Sequence, residues 1–229
     1  MGKLSIIIPV FNESRTILQV IERIRQVDFG SYDMEAIVVD GNSNDGTREL
    51  LESITDPWVR VIYERERRGK GAAVKEGIDN ATGDCVIIQD ADLEYDLRDV
   101  PSLVAPILEG EAEVVYGSRF KGRIERMTKP RWMANKLLTF SINRICGSRL
   151  TDACTCYKAL NTEFARDLQL ESNTFDICHE ITGKVLRRGV QIMELPINYR
   201  ARLHEEGVKS SWTNFFTALY TALKYRFRA

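Results

Sequence analysis

Short apolar runs alternate along the chain with segments in which apolar residues recur every three or four positions. The first run, residues 4–10, has the continuous hydrophobicity of a strand that is buried on both faces. The next segment, residues 13–27, has apolar side chains at helical spacing, namely Ile17, Leu18, Ile21 and Ile24. A strand followed by a helix is the repeating unit of α/β domains.

The same alternation continues as far as residue 117. The pattern predicts four further strands at residues 35–40, 59–63, 86–89 and 113–117, and helices at residues 45–54, 71–80 and 100–108. We therefore expect an α/β fold with a single Rossmann-like, mostly parallel sheet and helices on both faces.

Beyond residue 117 the regular pattern ends. A basic loop at residues 118–129 precedes predicted helices at 131–145 and 175–188 and a strand at 190–195. An amphipathic C-terminal helix is predicted at 211–227, with one apolar face formed by Trp212, Phe215, Phe216, Leu219, Leu223 and Phe227. Because no linker or repeat interrupts the chain, we expect one domain covering residues 1–229.

The overall composition is that of an ordinary globular protein. Of 229 residues, 44% are hydrophobic and 28% are charged, and the net charge of -1 gives no reason to expect a nucleic-acid partner. Acids nevertheless predominate at residues 84–99 and bases at residues 119–149. This segregation suits a metal ion beside phosphates, although two solvated faces of opposite sign are the simpler interpretation of charge runs alone.

Cysteine usage and hydrophobicity predict a cytoplasmic location. The five cysteines form no C-x-x-C pair, which indicates reduced thiols rather than a disulfide framework or a zinc ribbon. Cys154 and Cys156 flank Thr155 with the alternation of a strand. The apolar run near residue 6 is too short for a signal peptide, and no segment approaches the length of a membrane span.

Carboxylates cluster directly after the predicted strand at residues 86–89. Asp90 and Asp92 are two positions apart, so their side chains point the same way on an extended chain, with Glu94 next in line. Oxygen ligands of this kind suit Mg²⁺ or Mn²⁺ bound together with substrate phosphate. We therefore predict a metal site at the carboxyl end of a buried strand, where open α/β sheets bind ligands.

Two other polar stretches follow strands or open helices. Asp40 emerges from an apolar run and needs partners, for which donors of a nucleotide base or ribose are one interpretation. Asp45 is better explained as a helix cap. The sequence Gly69-Lys70-Gly71 opens a predicted helix, and phosphate binding and close helix packing explain it equally well.

With these motifs in place, the chain resembles family 2 glycosyltransferases of the GT-A fold, and among them the dolichyl- or polyprenyl-phosphate sugar synthases, including the mannose synthases. The matching stretches are IIIPVFNE, VVDGNSNDGT, GKGAA, IIQDADLEYDL, VVYGSRF, LTDACTCYKAL and ELPINYRARLHEEGVKSSW. The resemblance implies metal-dependent inverting transfer of a sugar from a nucleotide sugar, GDP-mannose or a UDP-sugar, to a polyprenyl phosphate.

The resemblance also implies roles for individual residues. It places the donor nucleotide sugar on Pro9, Phe11, Glu13, Asp40, Lys70, Asp90, Ala91, Arg119, Arg202 and Lys209. The metal ligands would be Asp90, Asp92 and Glu94. The catalytic set would be Asp92, Arg119, Arg131, Arg202 and Lys209, with Arg131 on the acceptor phosphate.

Departures from the family pattern leave alternatives open. Glycine at position 41 stands where many relatives have a second aspartate, and Glu94 replaces a glutamine common in the mannose synthases. A family 2 enzyme with a hydroxyl acceptor would need a base, for which Glu180 is the candidate; a helix-surface carboxylate is the favoured interpretation. The alternative that is not an enzyme is a noncatalytic protein that binds a nucleotide sugar.

A lipid acceptor requires contact with a membrane. The predicted C-terminal helix and a second stripe, formed by Trp132, Leu137, Phe140 and Ile145, have the apolar faces of interfacial helices. Packing against the sheet is the default interpretation of both stripes. We expect at most a peripheral, reversible association at the cytoplasmic face of a membrane.

Overall fold

The computed structural model describes residues 2–202 and 213–227. Its strands are β1 (Lys3–Val10), β2 (Asp33–Asp40), β3 (Val59–Tyr63), β4 (Cys85–Ile88), β5 (Val114–Ser118), β6 (Ile124–Glu125), β7 (Lys158–Asn161), β8 (Ile192–Pro196) and β9 (Tyr199–Arg200). Its helices are α1 (Ile17–Arg25), α2 (Thr47–Glu52), α3 (Lys70–Asn80), α4 (Val100–Leu108), α5 (Lys129–Cys146), α6 (Thr162–Asp167), α7 (Ile177–Arg187) and α8 (Thr213–Phe227).

Seven strands form one sheet in the order β3-β2-β1-β4-β7-β5-β8. Neighbouring strands are parallel except that β7 runs antiparallel to both β4 and β5. Strands β6 and β9 pair separately as a short parallel ribbon. The expected mostly parallel sheet of an α/β fold is confirmed.

The central strands are hydrophobic throughout because helices cover both faces of the sheet. Along β1, Ile6 and Ile8 pack into one hydrophobic cluster with α1 and α4, whereas Ile7 packs into the other cluster with α3 and α7. All three isoleucines have no exposed surface. Side chains of a strand alternate between its faces, so burial of both faces removes the polar positions that an exposed face would need.

The order of the strands reverses between β1 and β4. From β1 the chain first proceeds outward through β2 and β3 and then returns to place β4 on the other side of β1. Such a reversal opens a crevice at the carboxyl ends of the two strands, which is where open α/β sheets bind ligands. The loops after β1 and β4 are therefore positioned to form a site.

The sequence pattern does not predict β7, and it is wrong about the residues before it. Cys154 and Cys156 lie in a turn rather than in a strand, and β7 begins at Lys158. This four-residue strand is held by pairing with β4 and β5 on its two sides. Its formation depends on neighbours more than 40 residues away in the chain, so the local pattern carries no clear signal of it.

The two apolar stripes have different environments. In α8, Ala222 and Tyr225 are buried, and the helix packs on α5 and α7. Of the predicted apolar face of α8, Leu219 packs against the cluster shared with α5, whereas Phe227 is 64% exposed, so the packing interpretation holds only in part. Trp212 lies outside the described residues.

For the apolar stripe on α5, the predicted packing against the sheet is wrong. Four large apolar side chains are 44% to 65% exposed, namely Trp132, Met133, Leu137 and Phe140. We call these four residues the α5 apolar face. Among the described residues, no helix is long and apolar enough to span a membrane.

Candidate active site

The loops after β1 and β4 are joined directly at the crevice. The hydroxyl of Thr16 donates a hydrogen bond of 2.8 Å to the carbonyl of Ala91, which lies between Asp90 and Asp92. Ala91 is buried, so its contribution in this conformation is through the backbone. The contact fixes the first loop against the carboxylates of the second, and sequence spacing gave no indication of it.

Asp90 forms an ion pair with Lys70, the first residue of α3. Burial opposes ionisation of Asp90, but the Lys70 ammonium outweighs it and holds the pKa of this carboxyl below its ordinary value. Lys70 is thus positioned at the site by α3, and its charge keeps Asp90 ionised.

Arg202 connects the two loops electrostatically. Its Nη2 lies 3.1 Å from an oxygen of Asp92 and 3.2 Å from both carboxylate oxygens of Glu13. Glu13 and Asp92 are therefore neighbours through a shared guanidinium. The structure brings these three predicted site residues together.

Both carboxylate oxygens of Glu94 have partners within the protein. One of its oxygens accepts from the backbone N–H of Arg202 at 2.8 Å, and the other accepts from the hydroxyl of Tyr199 at 2.8 Å. Arg131, in the first turn of α5, lies 3.5 Å from the same second oxygen. Glu94 therefore joins the start of α5 and strand β9 to the site.

The three predicted metal ligands are not assembled as one set. Within residues 2–202 and 213–227, no group of three His, Cys, Asp or Glu side chains is placed to hold one ion. Asp90 and Asp92 remain suitable in their chemistry, since Mg²⁺ is usually bound by one or two carboxylates together with substrate phosphates. Their contacts with Lys70 and Arg202 would have to loosen for an ion to enter.

Asp40 lies at the carboxyl end of β2, where the sequence predicts it. It is fully buried, accepts from the backbone N–H of Ser43 at 3.2 Å and lies 3.9 Å from Arg48. The hydroxyl of Ser43 accepts from the N–H of Asn12, in the loop after β1. Asp40 thus organises the loop beside the crevice, and a nucleotide would have to displace these partners.

The remaining residues of the first loops have mainly structural contacts. Pro9 is a half-buried residue of β1, and Phe11 packs under the guanidinium of Arg67, 4.1 Å from the ring centre. Asp45 accepts from the N–H of Thr47, the first residue of α2, at 3.1 Å. The N-cap position itself is Gly46 and has no side-chain cap, so Asp45 supports the start of α2 from one residue before the predicted cap position.

The start of α3 is explained by packing. The N–H groups of Gly71 and Ala72 both donate to the carbonyl of Asn173, at 2.9 and 3.3 Å, so they do not face the crevice as free donors. A Cβ on Gly71 would lie 2.3 Å from the carbonyl oxygen of Ser172. Glycine is required by this close approach, and the backbone N–H groups of Gly71 and Ala72 are not available to a phosphate.

Arg119 has an unexpected partner. Its Nε and Nη2 donate to the two oxygens of Asp152 at 2.7 and 2.9 Å, and both side chains are buried. Burial opposes the charge of Arg119, but Asp152 outweighs it and raises the pKa of the guanidinium. The two donating nitrogens therefore face the interior rather than a phosphate, and the expected phosphate role of Arg119 has no geometric support in this conformation.

Glu180 is neither a helix-surface carboxylate nor an available base. It has no exposed surface, and its two oxygens accept from the backbone N–H groups of Glu171 and Ser172, each at 2.7 Å. Lys184 lies 2.7 Å from one of these oxygens. The surface interpretation is wrong because α7 turns this face toward the interior. Lys209, also predicted at the site, lies outside the described residues.

Three groups were not predicted as functional, namely the buried Lys158 and Cys178 and the half-buried Cys156. Lys158 has no exposed surface; its ammonium lies 3.5 Å from the ring centre of Tyr116, and burial lowers its pKa to about 8. Cys156 Sγ accepts from Lys70 Nζ at 3.5 Å. A hydrogen bond from Cys156 lowers the pKa of Cys178 to about 6. Their side chains meet only in the folded chain, so the sequence offered no signal for them.

A groove of about 1240 Å³ lies beside the loops after β1 and β4. Its lining includes Glu13, Glu94, Tyr199 and Arg202 but not Asp90, Asp92 or Lys70. Its volume is sufficient for a ligand of the size of a nucleotide sugar. The reversal of the sheet, the carboxylates, the basic side chains and this groove together form a candidate ligand site at the edge of an α/β sheet, and they place the chain in the class of open α/β proteins.

Comparison with known proteins identifies the family. A model of glycosyl transferase family 2 matches residues 5–169, and the chain therefore belongs to this family. The expected GT-A fold is confirmed by its likeness to a glucosyl-3-phosphoglycerate synthase from Mycobacterium tuberculosis, crystallised with UDP. That likeness has a TM-score of 0.74 at 22% identity and covers 98% of this chain and 80% of the other.

Curated relatives include proteins named for lipid-phosphate substrates. Glycosyltransferase AglJ of Haloferax volcanii is 32% identical over 86% of this chain and 63% of its own length. The dolichol-phosphate mannosyltransferase of Pyrococcus furiosus is 28% identical over 93% of this chain and 61% of its own. The chain thus spans less than two thirds of the length of either relative.

Proposed function

We propose that this chain transfers a sugar, with inversion, from a nucleotide-diphosphate sugar to a polyprenyl phosphate, with Mg²⁺ or Mn²⁺ as cofactor. The observation that carries the proposal is the position of Arg131. Its guanidinium contacts Glu94 at the crevice, and the α5 apolar face begins at the next residue, Trp132. A phosphate near Arg131 would leave its lipid chain beside exposed apolar side chains.

The donor diphosphate would bind at the carboxyl ends of β1 and β4. Asp90 and Asp92 would hold the divalent ion, which when bound neutralises charge on the diphosphate leaving group. A crystal structure of the structurally similar glucosyl-3-phosphoglycerate synthase contains Mn²⁺ and UDP, which supports a divalent ion in this fold. Lys70 and Arg202, paired with these carboxylates in the free protein, would turn to phosphate oxygens when substrate binds.

The acceptor chemistry removes the need for a catalytic base. A phosphate monoester has a second pKa of about 6, so its oxygen is already ionised at neutral pH. The work of Arg131 and Arg202 is then to orient the acceptor oxygen opposite the leaving diphosphate, which gives inversion at the sugar carbon. The burial of Glu180 is consistent with this scheme, since a hydroxyl acceptor would require an accessible base.

Membrane contact is part of the proposal. We expect the α5 apolar face to lie against a lipid surface, with basic residues of the same helix, such as Lys136, near anionic head groups. The test is sedimentation with vesicles of phosphatidylcholine and phosphatidylglycerol. Replacing Leu137 and Phe140 by serine should reduce binding severalfold, whereas Tyr220→Ser, an equally exposed position of α8, should not. Equal binding by all three proteins would contradict this orientation.

The activity is tested with purified protein and labelled GDP-mannose, UDP-glucose and UDP-N-acetylglucosamine. Each donor is incubated with a polyprenyl phosphate and Mg²⁺, Mn²⁺ or chelator. Label that enters the organic phase only when metal is present would support the proposal and identify the donor. Metal-dependent transfer to a soluble glycan instead would indicate a hydroxyl acceptor. Donor binding without any turnover would indicate a noncatalytic nucleotide-sugar-binding protein.

A further inference from the structure

Glu64 follows directly after β3 and carries a buried carboxylate of which only one oxygen is paired. Its Oε1 accepts from Arg68 Nε at 3.0 Å and lies 2.7 Å from Arg68 Nη2. The residue is only 4% exposed, and among the residues that the structure describes its Oε2 has no hydrogen-bond partner. A buried carboxylate oxygen without a donor costs free energy, so a ligand that supplies an N–H group there is favoured.

The position of Glu64 is fixed by the ends of three neighbouring strands. The N–H of Glu64 donates to the carbonyl of Asp40 at 2.9 Å, and the N–H of Gly41 donates to the carbonyl of Val10 at 2.8 Å. A Cβ on Gly41 would lie 3.8 Å from Glu64 Oε2 and 3.7 Å from the Cβ of Phe11. Because glycine has no side chain, nothing from position 41 covers this oxygen. It lies at the carboxyl ends of β1 to β3, on the same edge of the sheet as the proposed donor site.

The surroundings of Glu64 suit a flat, uncharged ring. Together with Tyr63, Glu64 belongs to the lining of a cavity of about 310 Å³. The guanidinium of Arg67 lies 4.1 Å from the ring centre of Phe11, and that of Arg48 lies 4.7 Å from the ring centre of Tyr63. Nucleobases stack on aromatic rings and on guanidinium planes. A carboxylate repels phosphate, so the base is the part of a nucleotide that fits here.

We propose that Glu64 selects the nucleobase of the donor and that the base it selects is guanine, an inference that rests on the proposed function. A carboxylate oxygen only accepts hydrogen bonds. The pairing edge of guanine presents two adjacent donors, N1–H and the N2 amino group, and both can face one oxygen. In uracil the single N3–H lies between two carbonyl oxygens, which a carboxylate repels. The unpaired oxygen of Glu64 therefore matches a guanosine diphosphate sugar and disfavours a uridine diphosphate sugar.

Asp40 is less suited to this role because its partners come from the protein. It accepts from the N–H of Ser43 at 3.2 Å and lies 3.9 Å from Arg48. Glu64 Oε2, on the adjacent strand end, has no such partner among the described residues. Glu64 thus offers an acceptor that a base can use without displacing a protein group.

The test measures the binding of GDP, IDP and UDP by isothermal titration calorimetry in the presence of Mg²⁺. IDP differs from GDP only in lacking the N2 amino group. We expect the unaltered protein to bind GDP about tenfold more tightly than IDP or UDP, which corresponds to one hydrogen bond to a charged group. Equal affinities for the three diphosphates, or tighter binding of UDP, would overturn the proposal.

Glu64→Gln should abolish the preference for guanine. Arg68 can only donate, so it keeps the amide oxygen, and the amide NH₂ group takes the place of Oε2. A donor then faces the donors of guanine, and we expect GDP binding to weaken about tenfold while UDP binding is retained. Retained UDP binding also shows that the variant is folded.

Glu66→Gln, an exposed position two residues further along, is the matched control and should leave all three affinities unchanged. An unchanged ratio of GDP to UDP affinity in Glu64→Gln would overturn the role of Glu64.

Base selection and sugar transfer can fail separately. Binding of all three diphosphates without preference would overturn the role of Glu64 and leave the transfer reaction in place. Guanine-selective binding without transfer to a polyprenyl phosphate would contradict the transfer reaction and leave the role of Glu64 in place. If none of the three diphosphates bound, both proposals would be wrong.

Discussion

The two halves of the sheet differ in where they place charged side chains. On the β1–β4 side, the candidate site residues Glu13, Asp90 and Asp92 lie at strand ends, where they are half-buried and paired across loops. On the β7–β8 side, Asp152 and Lys158 lie in the interior and have no exposed surface. The first arrangement leaves carboxylates accessible to a ligand, whereas the second keeps charges in the interior, where a substitution acts on stability.

This difference predicts opposite responses to mutation. Removing a charge at a strand end should reduce ligand binding or turnover. It should leave stability nearly unchanged, because water screens the neighbouring charges that remain. Removing one member of a buried pair should reduce stability, because the other member stays unpaired in a medium of low polarity. Four substitutions, in order of decreasing expected effect, test the contrast.

Arg119→Ala should have the largest effect. The substitution leaves Asp152 buried without its bidentate partner, and we expect a loss of about 3–5 kcal/mol in the free energy of unfolding, measured by urea denaturation. Arg123→Ala, which removes a surface ion pair with Glu125, should change stability by less than about 1 kcal/mol. A stable Arg119→Ala protein that has lost only transfer activity would restore the phosphate role that the sequence suggested.

Glu180→Gln should also act on stability. The amide can accept only one of the two backbone hydrogen bonds, and Lys184 loses its closest carboxylate, so we expect a loss of about 3 kcal/mol. Glu163→Gln, an exposed position in the first turn of α6, is the matched control. If Glu180→Gln retained full stability but lost turnover, a base at this position and a hydroxyl acceptor would become the better interpretation.

Asp92→Asn should act on turnover instead. Loss of one carboxylate charge at the strand end should reduce metal-dependent turnover roughly 100-fold, equivalent to about 3 kcal/mol, with an unchanged urea midpoint. Asp96→Asn, on the same loop but paired with the exposed Arg98, should retain activity. Undiminished turnover in Asp92→Asn would remove the metal assignment.

Lys158→Met should increase stability at neutral pH. Burial lowers the pKa of Lys158 to about 8 from an ordinary value of 10.5, so the unfolded chain binds this proton more tightly. The penalty is fully present below pH 8 and disappears as the pH rises toward 10.5. We expect the variant to be about 2 kcal/mol more stable at pH 7, with the difference shrinking between pH 8 and 10. A difference independent of pH would indicate that burial leaves the pKa of Lys158 at its ordinary value.

The regular half of the fold could be predicted from local sequence. Continuous apolar runs and helical spacing placed β1 to β5 and their helices within a few residues, because burial on both faces of a sheet imposes that pattern directly. The same reasoning placed Asp40, Asp90 and Asp92 at strand ends. The likeness to the family extended this prediction to Glu13 and Arg202, which the structure brings together.

The partners of these residues were decided by tertiary structure. Strand β7 forms because β4 and β5 leave a position between them, and its insertion buries Lys158. The pairs Arg119–Asp152 and Lys70–Asp90 join residues 33 and 20 positions apart. Hydrophobic periodicity shows which face of a helix or strand is buried, but it does not show which other helix or strand covers that face. The sequence by itself therefore determined the class of fold and the edge that carries the candidate site, whereas long-range packing decided which charges are free to bind a substrate.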